Sequence, residues 1–67
     1  MGAFANRLKE LAIERNLKQR DIAEMLGVSQ KAVSKWINNK SEPTESNIRN
    51  TAIAFNVSTD YLLGLED

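Results

Sequence analysis

Apolar residues recur along the chain at helical spacing. Phe4, Leu8, Leu11 and Ala12 follow the i, i+4, i+7, i+8 rule, which predicts an amphipathic helix over residues 3 to 15, closed by Asn16 in the left-handed conformation. Ile22, Ala23 and Leu26 predict a second helix from Gln19 to Leu26, and Gly27 ends it because a residue without a Cβ takes a positive φ cheaply. Ser29 is placed to cap a third helix over residues 30 to 38. Pro43 and Thr44 open a fourth, with Ile48, Ala52 and Phe55 as its buried stripe and Asn56 as its stop. Ser58 caps a short fifth helix that carries Tyr61 and Leu62, and Gly64 ends it. No stretch alternates with the period of a strand, so the pattern is all-α.

Three of these helix starts share one device. An apolar residue just before the N-cap can clasp the fourth helical residue and set the angle at which the chain enters the helix. The candidate pairs are Leu17 with Ile22, Val28 with Val33, and Val57 with Leu62. One start departs from the pattern: Lys18 sits at the cap of the second helix and has no acceptor oxygen, although Asp21 in the first turn suits the helix dipole. The one irregular interior stretch runs from Asn39 to Pro43.

The third helix separates its faces cleanly. At about 100° per residue, with Gln30 set to zero, Ser34, Asn38, Lys31 and Lys35 fall between about 40° and 140°. Ala32, Trp36, Val33 and Ile37 fall between about 200° and 340° and anchor the helix to the core, in which Trp36, Phe4, Phe55 and Tyr61 are expected. The outward face holds lysines, amides and a hydroxyl, and residues 29 to 41 contain no carboxylate. Such side chains pair with base edges: glutamine with adenine N6 and N7, lysine with guanine O6 and N7, serine with several. A solvated face of an ordinary helix would look similar. What favours a groove-reading role is the preceding helix and its tight Gly27 turn, the arrangement by which a helix-turn-helix offers its second helix to the major groove.

Charge and composition sharpen this picture. Nine bases balance nine acids over 67 residues. The neutrality hides an asymmetry. Residues 1 to 41 carry eight bases against four acids, whereas the remainder carries one base against five acids. One face is therefore expected to meet an anion while another turns away from it. A chain this short makes one domain at most, with a core spanning about residues 4 to 64 of 1–67. Without cysteine or histidine, disulfides, thiolate zinc clusters and most general-base or metal chemistry are excluded. No cofactor or small-molecule ligand is expected, the scattered carboxylates Asp21, Glu24 and Glu45 being helix-start or solvated charges rather than an enzyme's acid and base. The opening MGAFANRLKE has no apolar run suited to a signal peptide or a membrane span, so a cytoplasmic protein without a membrane partner is expected.

The run QRDIAEMLGVSQKAVSKWIN, residues 19 to 38, resembles the twenty-residue motif of phage-repressor-like DNA-binding domains, the Cro/CI, XRE-type or lambda-repressor-like family. Gln19 stands at the first motif position, Ala23 where the two helices touch, Gly27 in the turn, and Ile22, Leu26, Val28, Val33 and Trp36 at the apolar positions. The tail PTESNIRNTAIAFNVSTDYLLG is similar to that family's as well. The resemblance implies a compact five-helix bundle and a sequence-specific, double-stranded-DNA-binding transcriptional regulator, a repressor that occupies its operator without catalysis. Two departures stand out. Lys18 replaces the usual Ser or Thr cap and adds a phosphate contact, and Thr51 sits where an apolar residue is common, a change expected to loosen the fourth helix.

Roles follow position by position. The resemblance makes Gln30, Lys31, Ser34 and Lys35 base- and phosphate-contacting residues, and Gln19 a phosphate ligand that braces Gln30. Lys18, Arg20, Asn38, Asn39 and Lys40 flank the helix and are expected at the sugar-phosphate backbone, with Asn39 alternatively a helix terminator. Paired domains of this kind read two half-sites about 34 Å apart, so a homodimer on a near-palindromic operator is expected. Ile53, Leu63 and Leu65 are surplus apolar groups that can meet the twin. A different reading keeps the fold and changes the role: a protein-interaction module of antitoxin or anti-repressor type, using the apolar C-terminal end, for which an acid-free polar face is not required.

Overall fold

The computed structural model describes residues 2–66; Met1 and Asp67, the two ends of the expected domain, lie outside the described residues. Five helices follow one another: α1 (Ala3–Glu14), α2 (Gln19–Leu26), α3 (Gln30–Ile37), α4 (Glu45–Phe55) and α5 (Thr59–Leu62). The expected elements are all present, with small shifts at their ends. Helix α3 stops at Ile37, one residue early, because Asn38 leaves helical geometry at φ −93° and ψ 10°. Helix α4 starts at Glu45, with Thr44 as its cap and Pro43 ahead of it.

The helices are joined by a repeated local device. Asn16, Gly27 and Asn56 take positive φ values of 57°, 69° and 57°. The residue after each, Leu17, Val28 and Val57, donates its amide to a carbonyl five residues back: Ala12, Ala23 and Ala52, at 2.8, 3.1 and 3.0 Å. This closes the helix end in the Schellman manner. The next residue begins the following helix. Leu17, Val28 and Val57 all pack against the core that holds Ile22, Val33 and Leu62. One apolar side chain thus finishes one helix and staples the start of the next, so three of the four turns have no slack and their inter-helix angles are set locally. The link from α3 to α4 differs, because polar Lys40 occupies the corresponding place and donates to the Lys35 carbonyl at 2.8 Å before a longer loop.

Caps follow the side chains available. Ser29, Thr44 and Ser58 accept from the amides of Ala32, Asn47 and Tyr61. At α2 only half of a reciprocal cap forms. Asp21 Oδ2 accepts from the Lys18 amide at 2.9 Å, but an ammonium has no lone pair with which Lys18 could accept in return.

Phe4, Leu8, Leu11, Ile22, Ala23, Val33, Trp36, Ile37, Ala52, Phe55 and Leu62 form one buried cluster. Phe4 meets Trp36 edge to face, with ring centroids 5.8 Å apart, which confirms Trp36 as core rather than a stacking platform. Two expectations need correction. Ile48 is only half-buried, and Thr51, one turn on, is fully buried in its stead. Thr51 does not leave a hole in the polar accounting: its hydroxyl donates to the Asn47 carbonyl at 2.7 Å, so the group is buried with its proton satisfied. Tyr61 is half-buried, not core. The Arg7 guanidinium lies 4.4 Å from the centre of its ring.

Arginines stitch the helices together. Arg7 donates from Nε to the Tyr61 carbonyl at 3.1 Å and from Nη2 to the Glu66 carbonyl at 2.9 Å, drawing the end of α5 onto α1. Arg15 donates to the Phe55 carbonyl at 2.7 Å, satisfying an acceptor at the end of α4. Among the described residues no helix is long and apolar enough to cross a membrane.

Candidate nucleic-acid interface

Helix α3 is held from behind. Val33, Trp36 and Ile37 are buried, as are Ile22 and Ala23 on α2 beside them, so the seam between the two helices is apolar and closed. Ala23 is the small buried residue of α2 in that seam. The opposite side is open: Gln30, Lys31 and Lys35 are exposed, while Ser34 is half-buried between them. An eight-residue helix is about 12 Å long and, with side chains, about 10–12 Å thick. B-DNA's major groove, about 12 Å wide, admits such a helix.

The cations fall into two groups. Arg7, Arg15 and Arg49 are engaged with carbonyls, rings or carboxylates. Among the described residues the two ion pairs are Arg7 with Glu10 and Arg49 with Glu45, so Lys18, Arg20, Lys31, Lys35 and Lys40 belong to neither. All five are exposed. Lys9 on α1 is likewise exposed and in neither pair, but the other five gather around the α2 start and along α3 and its end, a local surplus that a neutral total conceals.

The remaining candidates are placed as follows. Gln19 is half-buried at the start of α2, and among the described residues no hydrogen bond joins it to Gln30. Asn39 has φ 59° and ends α3, and its Oδ1 accepts from the Gly2 amide at 3.1 Å, tying the beginning of α1 to the end of α3. Its terminator role is therefore visible. The Asn38 amide nitrogen donates to the Ser34 carbonyl at 2.9 Å and to Ser34 Oγ at 3.3 Å, a link the sequence reading missed although the i, i+4 spacing was there to see. Of the apolar candidates, Ile53 is 77%, Leu65 72% and Leu63 45% exposed. Leu63 joins Ile48 in two adjoining surface hollows, one of them reaching Pro43 and Trp36, while Ile53 and Leu65 line neither.

A helix-turn-helix family model matches residues 8–62, which takes in all of α2 and α3 and most of α1, α4 and α5. The chain belongs to this helix-turn-helix family. Its fold is that of the phage-repressor, XRE-type branch. The P22 c2 repressor protein, solved in complex with synthetic operator 9T in the presence of Tl+, superposes with a TM-score of 0.85 at 28% identity, over 94% of this chain and 96% of that one. A transcriptional regulator from Listeria innocua superposes with a TM-score of 0.86 at 31% identity, over 96% of this chain and 60% of its own. The HTH-type transcriptional activator BcrR of Enterococcus faecalis is 36% identical over 64 residues. That match covers 96% of the helix-turn-helix chain, which spans 31% of the activator's length.

Proposed function

We propose that this domain is a sequence-specific transcriptional regulator that binds double-stranded operator DNA, with α3 in the major groove. The observation that carries the reading is the outward face of α3: Gln30, Lys31 and Lys35 exposed without an acid among them, on a helix whose other side is locked to α2. Gln30, Lys31, Ser34 and Lys35 read base edges. Lys18, Gln19, Arg20 and Lys40 meet phosphates, which positions α3 without specifying sequence. Support comes also from the P22 c2 repressor, whose structure contains an operator. Repression by occupying a near-palindromic site is the simplest mode, since it needs no group beyond those on this face.

The working unit is a homodimer, because two half-sites about 34 Å apart are read by two copies of α3. Its surface is the end of the molecule where Ile48 and Leu63 are left partly open, with Glu45 and Arg49 at the rim. A twofold contact there can set Arg49 of one copy against Glu45 of the other. A protein-interaction role without DNA would leave the acid-free face of α3 without a purpose.

Selection of preferred sites from a random DNA pool tests the proposal. It should return two related half-sites spaced by about one helical turn. If each subunit neutralises three phosphates, log affinity should fall with log salt at a slope near −5, at about −0.9 per phosphate. No enrichment of any sequence at low salt contradicts the reading.

A further inference from the structure

Resting on the DNA-binding reading, we propose that Asn38 is a positioning residue which fixes Ser34 as a hydrogen-bond donor, so that Ser34 selects an acceptor edge in the major groove: purine N7, guanine O6 or thymine O4. On this account Asn38 itself does not hold a phosphate.

The orientation of the Asn38 amide follows from chemistry. Its nearest partner is the Ser34 carbonyl oxygen, at 2.9 Å. A carbonyl only accepts, so the atom facing it must be the amide nitrogen and cannot be Oδ1. The same nitrogen lies 3.3 Å from Ser34 Oγ. Two acceptors on Ser34 therefore take the donor capacity of the amide, and the atom carried away from them is Oδ1. An acceptor turned outward is repelled by a phosphate oxygen.

The consequence for Ser34 is a polarity. A hydroxyl has one proton and two lone pairs, and can read an acceptor or a donor by rotating. Once a lone pair of Ser34 Oγ is engaged by Asn38, rotation is restricted and the proton is directed elsewhere. Within a helix that proton commonly returns to the carbonyl four residues back, as Thr51 does to Asn47 at 2.7 Å. Ser34 makes no such bond: among the described residues its hydroxyl donates to no protein acceptor. The proton is left for the groove. Cytosine presents only its N4 amine there, a donor, so the base opposite Ser34 should not be cytosine.

The test compares the site preferences, and the affinities for preferred and unrelated duplexes, of the whole chain and four variants: S34A, N38A, the double S34A/N38A, and N38D. For the unmodified chain one half-site position should favour acceptor edges over cytosine by about 2- to 10-fold, the range of a single hydrogen bond. S34A and N38A should each flatten that same position, and the double variant should be no flatter than S34A. N38A should weaken binding only at sites with an acceptor edge at that position, not uniformly across sequences. N38D, whose carboxylate accepts the Ser34 proton, should shift the preference at that position toward the amines of cytosine or adenine, whatever it does to overall affinity. Helical circular dichroism should be retained throughout, because Asn38 is exposed at the helix end. The inference is overturned if N38A keeps the preference while binding weakens equally across all sequences, the signature of a lost phosphate contact. It is also overturned if N38A and S34A flatten different positions. A chain that enriches no DNA at all would instead bring down the DNA-binding reading, and this inference with it.

Discussion

Reversing the charge of two side chains, Lys31→Glu with Lys35→Glu, should cripple the proposed operator binding while the domain stays folded. Both lysines are exposed on α3 and belong to neither described ion pair, so no internal partner is lost. On DNA the change acts twice over, removing favourable contacts and placing carboxylates against phosphates. Like-charge juxtaposition costs several kcal/mol, so affinity for the selected site should fall on the order of 10³-fold or more. Residual binding should depend less steeply on salt, since fewer counterions are released. Titration of the selected duplex at two salt concentrations measures both, and circular dichroism checks the fold. A variant that binds the site as tightly as the parent would show that α3 does not face the groove.

A large effect on stability should come from a methyl group at Gly64. This residue has φ 77°, and a Cβ built there would lie 2.7 Å from the Ala3 Cβ at the start of α1. Gly64→Ala therefore combines two penalties: left-handed backbone for a residue with a side chain, about 1–2 kcal/mol, and overpacking, typically about 1–3 kcal/mol. A loss of about 2–5 kcal/mol is expected, a large share of what a small domain has. Gly27 provides the internal control. Its φ is 69°, but nothing lies within 4 Å of the position its Cβ would take. Gly27→Ala should lose only the backbone part, about 1–2 kcal/mol. Urea midpoints with unchanged slopes give the comparison. Equal losses at the two glycines would mean that the approach of α5 to α1 relaxes easily.

What could be read without coordinates was what depends on neighbours in the chain. The joints at Asn16-Leu17-Lys18, Gly27-Val28-Ser29 and Asn56-Val57-Ser58 are each encoded in three consecutive residues: one that tolerates a positive φ, one apolar, one at the cap. Helix order, the apolar seam and the outward face of α3 follow from them and from helical periodicity. Contacts between distant residues were not legible. Arg7 reaches carbonyls 54 and 59 residues away, and Arg15 one that is 40 away. In sequence both are simply cations, so they inflated the apparent positive charge of the first 41 residues beyond what is available to a ligand. Tyr61 reads as core from its hydrophobic bulk, which gives no hint of an arginine over its ring. Asn38 is a subtler case. Its partner is only four residues back, yet composition alone does not say whether an amide at a helix end faces solvent, phosphate or its own helix.

Amide chemical-shift mapping of the domain during titration with its selected duplex tests the central claim most directly. The account predicts the largest changes at Gln30, Lys31, Ser34 and Lys35, with smaller ones at Lys18, Gln19, Arg20 and Lys40. Changes confined to α4 and α5, around Ile53 and Leu63, with α3 left unperturbed, would contradict it.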